Sequence, residues 1–324
     1  MTKILCDFHH GGLMYSLHLL FEKRLGYELY IPCGLEWYKE KMWGNMASES
    51  DITAHQYLNW NKEWKVYEGS TLYTLKGITL DEAKQGGIDY IISSVPKNDV
   101  PFASLKKWNK DAVLISQWGN PHQTCNFDLY KNVLNSTMEA VPQGINNVYY
   151  HQEFDLKEFC YTEPPVPNRI RSFVMYYGQM DPTASTFRAY KKAMPDFDFK
   201  MYGWGDDGII PEEVKAQGIK DASFIWHVKK QGDGYGHSVH GAYACGRPVI
   251  TIGSFFKGMP PSKLFTPDTA IDLEKGTAEH NIAKIREWSA DIKNVSKRVR
   301  AQFDRVVNFD EDEQKVRAWL KRCI

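Results

Sequence analysis

The order of apolar and polar positions at the start of the chain predicts alternating strands and helices. An apolar run at residues 4–8 predicts a buried strand, and Gly11-Gly12 predicts the turn after it. Apolar residues then recur at helical spacing over residues 14–25, and Gly26 fits a helix C-cap. Residues 28–32 predict the next strand. A strand, a helix and a strand at this spacing indicate a βαβ unit, so we expect a parallel sheet.

The same alternation continues through the first half of the chain and restarts in the second half. Further strands are predicted in the first half at residues 89–95, 112–117, 133–137 and 147–151, and the Trp-rich insert 34–69 receives no element. In the second half, strands are predicted at residues 172–177, 197–202, 223–228 and 247–251, and helices at 186–194 and 241–245. Sheets of this kind bind ligands at the carboxyl ends of their strands.

A proline-rich segment separates the two halves. Residues 162–168 contain three prolines, which fix φ and remove hydrogen-bond donors, so we expect an extended connector. The predicted fold class is α/β, with two doubly wound Rossmann-like domains facing a cleft. We place the domains at residues 1–161 and 169–324, and we expect a C-terminal helix that returns toward the first domain.

Charge and cysteine content narrow the classes of protein. Lys+Arg and Asp+Glu both number 40, which does not favour broad attraction to nucleic acid or to an anionic membrane. A locally basic strip is formed by Lys293, Lys297, Arg298 and Arg300. Six cysteines without a C-x-x-C pair favour free thiols in a reducing compartment. No signal-peptide pattern occurs, and no apolar run approaches the roughly 18 residues of a membrane span, so we expect a cytoplasmic protein without a membrane partner.

The stretch from Ala222 to Ile250 contains the pattern most relevant to chemistry. A predicted strand is followed by the Gly-rich loop 229–236, and Ser238 fits the N-cap of the next helix. A strand, a Gly-rich loop and a helix start favour an anion site suited to a diphosphate, to which Lys229 and Lys230 add positive charge. The alternative is an ordinary βα turn, in which the glycines only permit tight geometry.

This stretch resembles the donor-binding signature of the retaining GT-B glycosyltransferases that have an E-x7-E motif. Asp233-Gly-Tyr-Gly236 matches the first part of the motif, and residues 241–250 match the second without a gap. The resemblance implies that Asp233 is catalytic and that the second domain binds the donor, whereas the first binds the acceptor. It further implies a set of donor-binding residues: Gly12, Gly178, Gly203, Lys229, Lys230, Gly234, Tyr235, Gly236, His237 and Ser238.

Three departures from the family pattern bear on the site. The first acid is the shorter Asp233, and the second position is Gly241, where the family has a glutamate that holds the ribose hydroxyls. The phosphate-binding Arg and Lys that the family often has after the first strand of the second domain are also absent near Gly178. Nucleotide recognition is therefore expected to differ from that of the family.

Histidines supply the remaining candidates. His9 and His10 follow the first predicted strand, and we assign His10 to catalysis and His9 to acceptor binding, together with His122. His237 and His240 lie three residues apart at a helix start and could share a metal, but this spacing is also common for ordinary helix residues. We expect no metal and no cofactor.

The resemblance implies transfer of a hexose or pentose from a nucleoside diphosphate sugar to an acceptor. The acceptor is either a hydroxylated or hydroxymethylated base in DNA, as in phage enzymes of this architecture, or a small molecule or glycan. A base in duplex DNA would have to be flipped out of the helix. A non-catalytic module that binds nucleotide sugars and a sugar-nucleotide epimerase of the same architecture remain alternatives.

Overall fold

The computed structural model describes residues 1–7, 11–42, 62–68, 71–120, 122–174, 183–203, 207–230 and 232–323. The chain forms two compact units. The first comprises Met1–Glu68, Leu72–Phe154 and Phe309–Ile324, and the second comprises Gly69–Thr71 and Asp155–Asn308. The second unit thus begins before the proline-rich segment at which we placed the domain boundary, and the end of the chain belongs to the first unit.

The first unit contains a sheet of eight strands within the described residues, in the order β3-β4-β2-β1-β5-β6-β7-β8. The strands are β1 (Lys3–Cys6), β2 (Glu28–Pro32), β3 (Glu63–Glu68), β4 (Thr71–Ile78), β5 (Tyr90–Ser93), β6 (Val113–Trp118), β7 (Asn132–Asn135) and β8 (Asn146–Tyr149). The helices are α1 (Gly11–Leu17), α2 (Glu36–Lys39), α3 (Leu80–Lys84) and α4 (Asp99–Ser104), and a π-helical segment (His18–Arg24) continues α1. β1 pairs in parallel with both β2 and β5, as a doubly wound sheet requires.

The second unit contains a parallel sheet of five strands within the described residues, in the order β10-β9-β11-β12-β13. The strands are β9 (Arg169–Ser172), β10 (Asp198–Met201), β11 (Phe224–Trp226), β12 (Val249–Thr251) and β13 (Ala270–Asp272). The helices are α5 (Ala184–Ala193), α6 (Glu212–Lys220), α7 (His237–Ala244), α8 (Ala278–Ala290) and α9 (Ile292–Val306). The helix that follows, α10 (Phe309–Leu320), lies in the first unit.

Most of the predicted elements are confirmed to within a few residues. The strand at Glu28–Pro32 has the predicted bounds, and Gly26 follows the helix with a φ of 73°. A positive φ is costly for residues with a Cβ, so glycine suits this helix end. Gly246 ends α7 in the same way, with a φ of 76°. The alternation of apolar runs and helical spacing therefore located both sheets.

The structure differs from three local predictions to different degrees. The turn predicted at Gly11-Gly12 is wrong, because both are the first residues of α1. The helix predicted at 241–245 is confirmed as part of α7, which begins earlier, at His237. The strand predicted at 172–177 overlaps β9 only at Ser172, where β9 ends, and residues 175–177 lie outside the described residues. Arg171 made this strand hard to predict: the residue is 6% exposed and its guanidinium pairs with Asp198 of the neighbouring β10, so a cation occupies a core position.

Helix α10 completes the core of the first unit. Its residues Val316, Trp319 and Leu320 are buried in the same apolar cluster as strands β1, β5 and β6. Asp312 is 3% exposed and accepts hydrogen bonds from the backbone N–H of His151 at 3.0 Å and from its Nδ1 at 2.7 Å. The end of the chain is therefore an integral layer of the first unit. No helix in the described ranges is long and apolar enough to cross a membrane.

Arg247 connects four segments inside the second unit. The residue is fully buried, and its guanidinium donates to the carbonyl oxygen and Oγ1 of Thr162, each at 2.7 Å. It also donates to the carbonyl oxygens of Cys245 at 2.6 Å and Lys220 at 2.5 Å, and to Ser296 Oγ at 3.3 Å. Burial lowers the pKa of Arg247 from its usual value. Because carbonyl and hydroxyl oxygens replace water around the cation, the charge is tolerated at this buried position.

Replacing Arg247 by lysine is expected to destabilise the protein by roughly 2–3 kcal/mol, since one ammonium group cannot reach all these oxygens and leaves buried acceptors unpaired. Urea denaturation measures the change. Arg298→Lys, at an exposed position of α9, is the matched control and should stay within about 0.5 kcal/mol of the parent protein. Equal stability of the two variants would show that the guanidinium network is not needed.

Candidate functional site

The topology of the second unit indicates where a ligand binds. From β9 the chain passes first to β10 on one side and then to β11 on the other side of β9. Doubly wound sheets bind ligands at such a switch point, outside the carboxyl ends of the strands. Ser172 ends β9 and Trp226 ends β11, and these two strands are hydrogen-bonded neighbours. The segment that leaves β11 at this edge is the candidate site.

Residues 227–236, called the β11–α7 loop below, connect this edge to the start of α7. Gly232 and Gly236 have φ values of 64° and 74°. A Cβ on Gly232 would lie 2.4 Å from the carbonyl oxygen of Phe255, and one on Gly236 would lie 2.6 Å from Pro261 Cγ. Both glycines are therefore required by backbone conformation and by space.

The helix start differs from the prediction. Gly236 is the N-cap of α7, and its carbonyl oxygen accepts from the backbone N–H groups of Val239 and His240, each at 3.0 Å. Ser238 is the second helical residue, so its assignment as N-cap was wrong. The chain must adopt a left-handed conformation where it enters the helix, which glycine permits at lowest cost. The N-cap position, to which Ser238 was assigned, is thus occupied by a glycine.

Asp233 lies in the β11–α7 loop between an imidazole and an ammonium group. Its Oδ2 is 2.5 Å from His227 Nε2, and its Oδ1 forms an ion pair with Lys229 Nζ. The side chain of Asp233 is 21% exposed, whereas that of His227 is 3% exposed. The carboxylate is therefore held from inside by an imidazole and from the more exposed side by an ammonium group.

The two partners determine the charge of Asp233. Burial alone would raise the pKa of this carboxyl, but attraction to His227, and then to Lys229, lowers it below its usual value of 3.8. Asp233 is consequently ionised at neutral pH. An ionised carboxylate at the switch point can accept hydrogen bonds from ligand hydroxyl groups or stabilise developing positive charge.

Tyr235 and the two helix histidines pack together at the start of α7. The ring of Tyr235 stacks on that of His240 with centroids 4.0 Å apart, and the ring of His237 meets it edge-on at 5.1 Å. Tyr235 is 2% exposed and His240 is fully buried, and Nδ1 of His240 is 3.1 Å from the Gly236 carbonyl oxygen. In the described residues, no three His, Cys, Asp or Glu side chains are grouped as metal ligands. The stack fixes the shape of the loop end.

Close packing against Phe159 explains why residue 241 is a glycine. A Cβ there would lie 2.9 Å from the ring of Phe159, which is 5% exposed. The position at which the GT-B signature has its second acid is therefore covered by an aromatic ring of the same unit. Ribose recognition by a side chain at position 241 is not available, as the sequence indicated.

The other predicted site residues lie elsewhere or outside the described residues. Gly203 has a φ of 91°, and its backbone N–H donates to the carbonyl oxygen of Gly208 at 3.0 Å, whereas residues 204–206 lie outside the described residues. Lys230 is exposed and lies on the same loop as Asp233.

His122 lies in the first unit. Its side chain is 93% exposed, and its Nδ1 is 3.7 Å from Glu139 Oε1. The assignments of His9, His10 and Gly178 fall on residues that the structure does not describe.

The first unit has its own switch point, between β1 and β5, and a buried carboxyl occupies it. Asp7 is fully buried and accepts from Ser94 N at 2.7 Å, Ser94 Oγ at 2.6 Å, Val95 N at 3.2 Å and Asn98 Nδ2 at 2.7 Å. Burial raises its pKa to about 6 in spite of these donors. Asp7 thus fixes the segment after β5 at the edge where the acceptor was predicted to bind.

His227 is the residue of this site that the sequence analysis missed. It lies at the end of an apolar strand, in Phe-Ile-Trp-His-Val, where a histidine reads as part of the buried run. The available signal was its position directly after a strand that leads into the Gly-rich loop. The pairing with Asp233 spans a loop whose path the sequence does not specify.

Comparison with known proteins identifies the architecture. No protein-family model and no curated protein sequence matches the chain. Solved structures match over almost its whole length: HepE from Anabaena in complex with UDP-glucose has a TM-score of 0.63 at 10% identity and covers 99% of this chain and 100% of its own. Sucrose-phosphate synthase from Thermosynechococcus elongatus has a TM-score of 0.62 at 12% identity, covering 99% of each chain. A glycosyltransferase from Rickettsia africae has a TM-score of 0.62 at 13% identity, covering 99% of this chain and 98% of its own.

The chain has the GT-B fold. The GT-B architecture expected from the E-x7-E resemblance is thereby confirmed as a fold of two Rossmann-like units. Identities of 10–13% establish the fold alone, so the chemistry of this GT-B protein depends on the residues of its own site.

Gly241→Ala is expected to destabilise the protein by about 1 kcal/mol, because the new methyl group must displace the Phe159 ring and so outweighs the better helix propensity of alanine. Phe159→Leu should make room for it, so the two changes together should cost less than the sum of the single changes. A double-mutant cycle by urea denaturation measures this coupling. Additive effects would contradict the contact.

The raised pKa of Asp7 predicts how the stability of the protein depends on pH. Because its pKa is raised from 3.8 to about 6 in the folded protein, the folded state binds this proton more tightly than the unfolded state does. Its contribution is therefore greatest below pH 4 and is lost as the pH rises through 6, a change of about 3 kcal/mol. The difference in unfolding free energy between the parent protein and Asp7→Asn should shrink by about 2 kcal/mol from pH 4 to pH 7, which is less than the full change because the unfolded carboxyl is already partly ionised at pH 4. A difference that does not vary with pH would contradict the raised pKa.

Proposed function

We propose that this GT-B protein transfers a sugar from a nucleoside diphosphate sugar to an acceptor hydroxyl group. The observation that carries the proposal is the ionised Asp233 in a glycine-shaped loop at the β9–β11 switch point, directly before the start of α7. A helix start and a lysine-bearing loop suit the diphosphate, and a carboxylate suits the sugar.

The β11–α7 loop offers a separate partner to each part of the donor. Lys229 and Lys230 supply positive charge for the diphosphate, and α7 adds the positive end of its helix dipole. Oδ1 of Asp233 pairs with Lys229 in the structure, so a bound diphosphate would compete for the same ammonium group. Release of Lys229 to the diphosphate would free Oδ1 to accept a hydrogen bond from a sugar hydroxyl group.

In the transfer step, the bond between the anomeric carbon and the diphosphate oxygen breaks, and a bond from that carbon to the acceptor oxygen forms. The nucleoside diphosphate leaves with the bonding electron pair, and the proton of the acceptor hydroxyl group passes to the leaving diphosphate. Lys229 and Lys230 would stabilise the charge on the leaving diphosphate, and Asp233 would stabilise positive charge at the sugar. His10 is our proposed catalytic residue on the acceptor side, with His9 and His122 as acceptor contacts.

The structural neighbours support a nucleotide sugar as donor. HepE is in complex with UDP-glucose in one structure and with UDP and glucose in another. Because position 241 is closed by Phe159, the ribose would be bound by groups other than an acid on α7. The proposed donor contacts beyond the β11–α7 loop are Gly12, Gly178 and Gly203.

The basic strip on α9 favours a small-molecule or glycan acceptor over DNA. Lys293 pairs with Glu163 at 3.0 Å, and Arg300 pairs with Asp304 at 2.8 Å and donates to the Ala244 carbonyl oxygen. Two of the four cations are thus already engaged within the unit. Each DNA phosphate that is neutralised contributes a slope of about −0.9 to the salt dependence, so Lys297 and Arg298 alone would give weak binding.

Donor hydrolysis tests the proposal directly. UDP-, GDP-, ADP- and dTDP-linked sugars are incubated with the protein, with and without duplex DNA that contains hydroxymethylated bases, and released nucleoside diphosphate is measured. We expect hydrolysis of at least one donor and a raised melting temperature in its presence. Asp233→Asn should lower the rate by about 100-fold or more, since one lost transition-state contact is worth roughly 3 kcal/mol.

Asp268→Asn, at an exposed position outside the β11–α7 loop, is the matched control and should keep the parent rate. Binding and hydrolysis of none of the donors would overturn the proposal. Binding without turnover would instead identify a nucleotide-sugar-binding module, and conversion of the donor into its epimer would identify an epimerase. A DNA-dependent increase in sugar transfer that salt abolishes would identify DNA as the acceptor.

A further inference from the structure

We propose that His227 is a positioning residue for sugar transfer, which holds the Asp233 carboxylate in place within the β11–α7 loop and does not itself contact the substrate. The inference rests on the proposed function, in which Asp233 is the catalytic carboxylate. It assigns a role to a buried side chain that neither the sequence motif nor the fold singles out.

The backbone of His227 is anchored to the sheet. Its N–H donates to the carbonyl oxygen of Ile250 at 2.9 Å, and its carbonyl oxygen accepts from Thr251 Oγ1 at 2.9 Å. Both partners belong to the neighbouring strand β12. The ring of Phe256 lies against the imidazole, with centroids 5.7 Å apart. The imidazole is therefore fixed to the rigid part of the unit, although it lies at the beginning of a loop.

The two ring nitrogens of His227 have different surroundings. Nε2 is 2.5 Å from Asp233 Oδ2, and because a carboxylate oxygen accepts, Nε2 must carry a hydrogen. Nδ1 is buried and has no hydrogen-bond partner within the part of the chain that the structure describes. In an Asp–His pair that acts as a general base, the second nitrogen faces the substrate. Here that nitrogen is enclosed, so only the contact with Asp233 is available for function.

The contact links a rigid strand to a carboxylate that a ligand can reach. His227 is 2% exposed, whereas the side chain of Asp233 is 21% exposed. Lys229, the other partner of Asp233, is on the loop itself and its side chain is 31% exposed. Lys229 can leave when a diphosphate binds, and the hydrogen bond from His227 then remains to orient the carboxylate. Misplacement of a catalytic group by about 1 Å can cost roughly 100-fold in rate, so this hydrogen bond has a measurable effect.

Two variants of His227 separate positioning from packing and from direct catalysis. His227→Gln places an amide N–H near the position of Nε2 but has no counterpart of Nδ1, and His227→Leu has no donor. We expect His227→Leu to lower kcat for UDP-glucose hydrolysis by about 100-fold. UDP affinity, measured by calorimetry, should change by no more than roughly threefold, because the diphosphate contacts remain. His227→Gln should restore most of the rate.

The control variant is Phe256→Leu, which alters packing on the same imidazole without removing a hydrogen bond. It should keep a rate close to that of the parent protein. If His227→Gln is as inactive as His227→Leu, Nδ1 takes part in the chemistry and the positioning role is wrong. If His227→Leu keeps the parent rate, the contact has no function.

A readout independent of activity separates this inference from the proposed function. Carbon NMR of aspartate labelled at the carboxyl carbon follows the ionisation of Asp233, whose resonance is identified by its absence in Asp233→Asn. Loss of the imidazole should raise the pKa of Asp233, because a favourable partner of the charged form is removed. His227→Gln should give a smaller rise. An unchanged titration in His227→Leu removes the inference about His227, whereas a parent protein that hydrolyses no donor removes the proposed function.

Discussion

The buried guanidinium of Arg247 is the interaction on which the second unit depends. A permanent charge inside a protein must be surrounded by oxygen atoms, and here the connector, α6, α7 and α9 all contribute one or more. The C-terminal end of α7 is thereby tied to three other segments. Gly236, the N-cap at the other end of this helix, is the last residue of the β11–α7 loop. The buried guanidinium and the candidate site are therefore connected through one helix.

The parallel strands and the Gly-rich loops could be predicted from the sequence because their patterns are local. The apolar runs and the glycine after the helix, Gly26, both reflect constraints on a few neighbouring residues. The prediction placed strand β9 too far along the chain, because an arginine such as Arg171 is normally exposed. Its partner Asp198 lies on another strand, and no local pattern in the sequence indicates that the two residues pair.

The candidate site was predicted in part for the same reason. Asp233 was found from its motif. The contact of His227 with Asp233 and the packing of Phe159 against position 241 form only in the folded chain, so the sequence did not indicate them. The GT-B neighbours share the path of the backbone at identities of 10–13%, a level at which contacts of this kind are free to differ. The fold therefore determines the position of the β9–β11 switch point, and side-chain contacts particular to this chain determine the surroundings of Asp233 there.

The place of α10 in the first unit has a consequence for synthesis on the ribosome. Chains emerge from the amino terminus, and domains generally fold in that order. In this protein the apolar cluster of the first unit includes Val316, Trp319 and Leu320, which are made after the entire second unit. The core of the first unit therefore cannot be completed until residues 155–308 have been translated. The half of the protein that is made first is completed last.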